Sequence, residues 1–471
     1  MTDARRTAAI VLAAGAGSRF GGAKLLAELG GRPILAMVLG SVRAAGLAGV
    51  VLVLGRDAEA IEAAIPTESE LRVRNPDPDA GLSSSLRVGF RALLAAPWAG
   101  ELDAVFVVLG DQPLVDPAVL RALMSAETRQ GVDFVVPRYV GGGGRNPTLV
   151  LRSGFGAVAE TAGDRGLGPI LEAAPERVAN VEIGGANPDV DTRADLVELA
   201  WADRVRRDRL QVDRHREVSD GADFYRPVTS LFRADPRRTD EPMLDALLAL
   251  ADPDDTWLDI GAGAGRYALP LALRVREVIA VEPSDGMRSV LEELALEHGI
   301  ANVRTIDDRW PPAPAGPGPV IHADVALIAH LGYDIEAIGP FLDAMDAAAG
   351  RLCVAILMDR QPSSIADPFW PPIHDEERVA LPALPEFLDL LTARGRQPSV
   401  IRFPREPRSV DSFEELHAFV RRQLWLASGG PKDRRLEGLV RAVARCVDGR
   451  WSLPQPSLDI GLVSWSPSRP S

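Results

Sequence analysis

The sequence predicts an α/β protein made of two doubly wound sheets in tandem. Three observations lead there. Short apolar, β-branched runs alternate with alanine-rich amphipathic stretches through residues 1–200, the pattern of parallel strands with helices on both faces. The same alternation restarts beyond a charged stretch at 202–227. Each half also opens on an apolar run that breaks into a glycine-rich turn, at 10–26 and at 256–272.

In order, "AAIVLAA", "GVVLVLG", "LRVRN", "AVFVVLG" and "DFVVPRY" read as strands, and "SSSLRVGFRALLAA" as an amphipathic helix between two of them. The run "ADRVRRDRLQVDRHREVSDGADFYRP" has almost no apolar periodicity at its centre and is expected to be a linker. That divides the chain into a first domain at 1–200, a charged linker at 201–227 and a second domain at 228–471. The second domain continues with strands "TWLDIGAG", "EVIAVEPS", "NVRTID", "ADVALIAH" and "RLCVAILM". A proline-rich surface loop is expected at 311–319, and an insertion over the sheet's C-terminal edge at 361–380. The tail "GRWSLPQPSLDIGLVSWSP" can supply a closing antiparallel strand pair, and no internal repeat is present.

Composition narrows the function classes. At 471 residues the chain is too long for one core. A net charge of −14 speaks against non-specific nucleic-acid binding, which needs a basic surface. Cys353 and Cys446 are the only cysteines, so neither a disulfide framework nor a cysteine zinc cluster is available. No apolar run is long enough to span a membrane, no signal peptide is read, and a cytoplasmic location is expected.

The first chemistry-bearing stretch is "IVLAAGAGSRFGGAKLL", where glycines let backbone N–H groups approach a ligand and Arg19 and Lys24 add charge. It reads equally as a phosphate cradle and as an ordinary turn. "VVLGDQPLV" adds Asp111 at the C-terminal end of a strand, where open α/β sheets bind ligands. Ser83, Ser84 and Ser85 in "NPDPDAGLSSSLRVGF" can cap a helix or donate hydroxyls to a base or sugar, and Asp189 and Asp191 pair acids in "NPDVDTRADL". Taken singly, Asp111 reads as a helix cap, the acid pair as a solvated turn and Lys24 as an exposed lysine. Together they suit nucleotidyl transfer, in which carboxylates hold Mg2+ against a triphosphate and cations offset its charge.

The ordered series "LAAGAGSRFGGAK", "NPDPDAGLSSSL", "GDQP", "PRYVGGGGRNP", "GDRG" and "DVDT", over roughly 7–200, resembles molybdenum-cofactor cytidylyltransferases and related MobA-like nucleotidyltransferases. That resemblance implies that Ala13, Ala14, Gly15 and Gly17 wrap a nucleotide, with Arg19 and Lys24 on its phosphates. It implies Ser83, Ser84 and Ser85 near the base, Asp111 as a Mg2+ ligand, and Asp189 or Asp191 as the second acid. "LAAG" leans toward CTP, where guanylyl-type relatives have "LAGG". "RNP" at 145–147 replaces the Gly-His-Pro of many members, so the acceptor pocket departs from the family pattern.

In the second half "TWLDIGAGAGRYALPLA" sets Gly261, Gly263 and Gly265 after Asp259, with Arg266 where a pyrophosphate would need open backbone. Glu282 ends the next strand, where an acid can accept hydrogen bonds from ribose hydroxyls. Over about 225–465 the chain resembles class I S-adenosylmethionine-dependent methyltransferases. The resemblance implies Asp259 and the glycines on the methionine part, Glu282 on the ribose, Asp307 or Asp308 by the adenine, and His330 facing the methyl group. As a general base or as a packing and capping residue, His330 reads better as the latter. Trp310 and Trp370 line an acceptor pocket or cover the core.

The expectation is therefore a bifunctional enzyme with two Rossmann-like domains. The first transfers CMP from CTP to a molybdopterin-like phosphate, and the second methylates an unidentified acceptor. The partners are small molecules and a molybdoenzyme, with no nucleic acid or membrane. The alternatives are a sugar-1-phosphate nucleotidylyltransferase, or one domain serving as a non-catalytic ligand sensor.

Overall fold

The computed structural model describes residues 5–15, 17–219, 229, 232–312, 321–405, 409–454 and 458–468. Most of the expected linker's second half, the proline-rich run from 313 and residues 469–471 lie outside the described residues. The chain forms two compact units, Met1–Leu196 and Val197–Ser471. Both are α/β, as the alternation required. Among the described residues no helix is long and apolar enough to cross a membrane.

The first unit's main sheet contains β1 (Thr7–Ala13), β2 (Val50–Leu54), β3 (Leu71–Arg74), β4 (Ala104–Leu109), β5 (Phe134–Tyr139), β6 (Thr148–Leu151) and β7 (Val178–Ile183). Their order is β3-β2-β1-β4-β6-β5-β7, and β6 alone runs antiparallel to its neighbours. All seven residues of β1 are buried, as a central strand with helices on both faces requires. Because side chains alternate, Ala9, Val11 and Ala13 enter one core while Ala8, Ile10 and Leu12 enter the other. The order turns back at β1, so the loops after β1 and β4 diverge and open a crevice at their C-terminal ends.

The second unit repeats the principle with β8 (Thr256–Ile260), β9 (Glu277–Val281), β10 (Val303–Ile306), β11 (Ala323–Ala329), β12 (Ala349–Met358), β13 (Ser399–Arg405) and β14 (Leu458–Trp465). The order is β10-β9-β8-β11-β12-β14-β13. β14 runs antiparallel between β12 and β13, so the tail supplies one strand of the antiparallel pair that ends the sheet, while its outer partner comes from 399–405 and not from the tail. Here the crevice lies between the ends of β8 and β11.

One expectation fails. Residues 201–215, read as linker, belong to a helix spanning Arg193–His215. Trp201, Val205, Asp208 and Val212 recur at helical spacing and are buried, and Trp201 Nε1 donates to the Ile335 carbonyl oxygen at 2.9 Å. The narrow apolar stripe is concealed in the sequence by arginines and aspartates on the remaining faces. Those charges are paired locally, for example Arg206 with Glu336 at 3.1 Å.

Candidate functional site

Ala13 and Ala14 are buried at the end of β1, and Gly15 beyond them is exposed with open space around its Cα. Gly17 has φ +55°, and a Cβ there would meet the Gly22 carbonyl oxygen and the Lys24 side chain. The turn thus folds back on itself and carries Lys24 inward. Lys24 Nζ donates to Asp111 Oδ2 at 2.6 Å and to Asp191 Oδ1 at 3.2 Å. Arg19 reaches Asp191 Oδ2 at 3.1 Å from an exposed position. Burial works against the Lys24 ammonium, but Asp111 and Asp191 outweigh it and hold its pKa above the ordinary value.

Asp111 follows β4 through Gly110, whose missing side chain lets the loop lie against the Leu12 carbonyl of β1. The Asp111 carbonyl accepts from Val190 N at 3.0 Å, which stitches the 187–191 acid loop beside it. Gln112 and Asn187, each 1% exposed, continue the contact. Asn187 Nδ2 donates to Gln112 Oε1 at 3.1 Å, and Gln112 Nε2 donates to Asp189 Oδ1 at 2.7 Å. Asp189 as a whole is exposed, yet its carboxyl is shielded by protein. That desolvation, then the Asp111 charge, pushes its pKa up. The acid loop meets Asp111 through both of its aspartates, Asp191 through Lys24 and Asp189 by charge.

Asp111 Oδ1 is buried with no hydrogen-bond partner. An unmatched carboxylate oxygen in that position is costly and fits a hard cation such as Mg2+. Lys24 Nζ stands between Asp111 and Asp191, however, and among the described residues no three His, Cys, Asp or Glu converge to hold a metal ion.

The serine run lies in the first turn of a helix spanning Leu82–Leu94 and does not cap it. Gly81 occupies the N-cap with φ +89°, where a Cβ would collide with Asp164 and the Gly163 carbonyl of the "GDRG" turn. Ser84 and Ser85 are engaged by Asn75, and Ser84 Oγ also donates to the Asp77 carbonyl. Ser83 Oγ is the one of the three left buried and unpartnered. A cleft of about 270 Å³ opens at the ends of β1 and β4, with Leu12, Val107, Arg145, Asn146, Thr148 and Arg165 among its walls. Lys24 and Asp111 do not line it, but Asn187 joins the Asn146 carbonyl at 3.2 Å to Gln112 and so to Asp189.

In the second unit, Gly261 and Ala262 both donate to the Val281 carbonyl, drawing the glycine turn against β9. Gly261, Gly263 and Gly265 have φ of +73°, +57° and +81°. A Cβ would strike Leu331 at Gly261 and Leu269 or Leu291 at Gly265, while Gly263 faces open space. Glu282 was expected to face a ribose. Here its Oε2 accepts from Gly263 N at 2.9 Å and its Oε1 from Ser284 N at 2.8 Å. Asp259, 1% exposed, has an unpartnered Oδ1. Burial and then the Glu282 charge push its pKa up to about 7. Two buried acids that repel each other at one turn fit a cationic ligand group.

Asp307 pairs with Arg288 at 2.7 Å and is otherwise exposed, while Asp308 accepts from Arg309 N, so neither joins the glycine turn. Trp370 is 1% exposed inside a cluster with Val212, Phe413 and Leu436, and Trp310 packs on the sheet's core. Both cover cores, the second of the two roles expected of them. His330 directly follows β11 and has φ +55°, with Nε2 3.3 Å from the Tyr267 hydroxyl. Sequence reasoning missed Gln112 and Asn187, although Gln112 stood within the "GDQP" motif, and missed Tyr267 altogether. Arg266 was read only as an obstacle.

Each unit therefore places polar groups at the switch point of an open α/β sheet, the position where such folds bind nucleotides and cofactors. Residues 9–178 match the family described as MobA-like NTP transferase domain, so the first unit carries such a domain. The chain is 37% identical over 135 residues to a 2-C-methyl-D-erythritol 4-phosphate cytidylyltransferase of Cereibacter sphaeroides, covering 28% of this chain and 58% of that protein. It is 35% identical over 122 residues to the bifunctional protein GlmU of Bordetella parapertussis, covering 26% of each. The chain thus spans between 26% and 58% of the length of these relatives. Among solved structures, Rv0371c from Mycobacterium tuberculosis H37Rv is 31% identical, with a TM-score of 0.37, covering 41% of this chain and 96% of that one. A geranyl diphosphate methyltransferase is 15% identical, with a TM-score of 0.30, covering 48% and 78%. With scores this low, the fold assignment rests on the strand orders of the two units.

Proposed function

We propose that the chain is a bifunctional transferase. Its first unit transfers CMP from CTP to a molybdopterin-like phosphate, and its second is an S-adenosylmethionine-dependent methyltransferase. The observation that carries the first reading is the Lys24–Asp111–Asp191 cluster, with Asp189 beside it, directly after the β1 turn. Asp111 with Asp189 or Asp191 would hold Mg2+, which supplies charge neutralisation on the triphosphate. Gly15 and Gly17 of the turn offer backbone N–H groups, and Lys24 and Arg19 offset phosphate charge as an acceptor oxygen attacks the α-phosphorus and pyrophosphate leaves. CTP is supported by "LAAG" and by the cytidylyltransferase relative, and the acceptor by the six ordered motifs. The second reading, a sugar-1-phosphate acceptor, is supported by the same nucleotide motifs, which the wider nucleotidyltransferase fold shares. Labelled CTP offered to the full chain with either acceptor decides between them. No pyrophosphate release with any nucleotide overturns both.

For the second unit the carrying observation is the buried Asp259–Glu282 pair under an open glycine turn. Such a pair suits a sulfonium cofactor with an ammonium group better than a pyrophosphate. Calorimetry on the full chain with S-adenosylhomocysteine, and with NADH as the control, tests it. NADH binding alone would refute it.

A further inference from the structure

We propose that the acceptor of the first unit carries a second anionic group besides its reacting phosphate, and that Arg145 binds it at the rim of the cleft of about 270 Å³. The inference rests on the nucleotidyl-transfer reading and names a feature of its acceptor. The cleft is separate from the groups that serve the nucleotide, because the 13–17 turn, Lys24 and Asp111 stand outside its lining. What is left for it is the body of the acceptor. Its inner lining is aliphatic, with Leu12, Leu86 and Val107 all buried. Such a surface holds an apolar body by taking it out of water and does not read charge.

Charge enters at the exposed rim. Arg165 and Glu172 both line the cleft and pair with each other, so their charges cancel. Arg145 is the second guanidinium of the lining. It is exposed, and among the described residues its side chain has no hydrogen bond or ion pair. The lining is left with one positive charge, in a chain whose net charge is −14.

The backbone that carries Arg145 is pinned while its side chain is free. The Arg145 carbonyl oxygen accepts from Thr148 Oγ1 at 2.9 Å, and Thr148 is itself buried. The next carbonyl oxygen, that of Asn146, accepts from the Tyr139 hydroxyl at 3.3 Å and from Asn187 Nδ2 at 3.2 Å. Asn187 also donates to Gln112, which donates to Asp189. Two buried amide side chains thus join the Arg145 turn to the acid loop and stand between them. Arg145 therefore addresses a part of the acceptor remote from the reacting phosphate, which Lys24 and Arg19 serve. A carboxylate or similar anion there gains a bidentate, charge-assisted pair with the guanidinium, and a neutral end of the same shape gains none. The second anion selects among phosphate monoesters that the aliphatic lining alone would treat alike.

The test is calorimetry on the full chain loaded with Mg2+ and a CTP analogue whose α,β-bridging oxygen is a methylene, which prevents turnover. Three benzyl phosphates are titrated in, differing only in a para carboxylate, methyl or aminomethyl group. The carboxylate is expected to bind about ten-fold more tightly than the methyl compound. Arg145→Gln, at an exposed position, should erase that difference and leave affinity for the CTP analogue within about two-fold. Arg145→Glu should reverse the order in favour of the aminomethyl compound. Equal wild-type affinity for the carboxylate and methyl compounds overturns the proposal, as does a preference that survives Arg145→Gln. Equal weakening of both by Arg145→Gln overturns it too, because Arg145 then holds the reacting phosphate. Binding of none of the three, with the CTP analogue bound, overturns it by removing the cleft as the acceptor's site. Failure of the wild-type chain to bind the CTP analogue removes the CTP-dependent reading itself.

Discussion

The two units answer the same topological problem with opposite electrostatics. At the end of β1 and β4, Asp111 and Asp191 share the Lys24 ammonium, and Arg19 adds a second cation. At the end of β8 and β9, Asp259 and Glu282 stand close enough to repel each other, and Glu282 accepts from the Gly263 and Ser284 N–H groups. A site that matches its acids with cations is prepared for a ligand bringing both signs, such as a metal-bound triphosphate. A site that leaves two acids facing each other is prepared for a cation alone. Ligand charge is thus legible in what each site leaves unbalanced.

The largest expected effect breaks the comparison on the first side. Asp111→Asn removes the carboxylate that Lys24 and the proposed metal share, and should lower CTP-dependent pyrophosphate release by roughly a hundred-fold or more. S-adenosylhomocysteine binding should be unchanged. Unaltered turnover in the variant would end the metal role of Asp111.

The next effect concerns stability. In the folded chain Asp259 keeps its proton up to about pH 7, whereas an exposed aspartate releases it near its ordinary value of 3.8. Between those values the folded state binds the extra proton, so stability falls as pH rises through the window and levels off above it. Asp259→Asn should therefore melt with the wild type near pH 4 and above it at pH 8, by on the order of a few kcal/mol. Coincident melts at both pH values would show that the buried acid pair is not strained.

Nucleotide preference sharpens the comparison further. CTP with Mg2+ at a hundred times its dissociation constant should stabilise the first unit by about 2.7 kcal/mol, and GTP by less. A greater shift of the first melting transition with GTP would reassign the base. The smallest effect tests the scaffold. Gly81→Ala places a side chain at φ +89° against the Gly163 carbonyl, and should cost about 1–2 kcal/mol in the same transition. A neutral substitution would mean that the 163–166 turn can move away from the serine helix.

Some of this was readable from the chain alone. Alternation of apolar runs determined two parallel-sheet units, because strands covered on both faces must be apolar almost throughout, as Thr7–Ala13 is. Glycine spacing determined both turns, because left-handed φ at Gly17, Gly261, Gly263 and Gly265 excludes most other residues. Lys24, Asp111, Asp259 and Glu282 were legible because each stands at the C-terminal end of an apolar run or in the turn after it. What sequence could not reveal was partnership. That Ser84 and Ser85 are engaged by Asn75, that Asp307 is taken by Arg288, and that Trp370 fills a core follow from side-chain contacts that no local periodicity specifies. The Arg193–His215 helix was hidden for the same reason: its apolar stripe is one side chain wide, and only the surface it packs on turns that stripe into structure. Periodicity is local and survives in sequence, whereas charge balance at a site depends on distances that only the folded sheet sets.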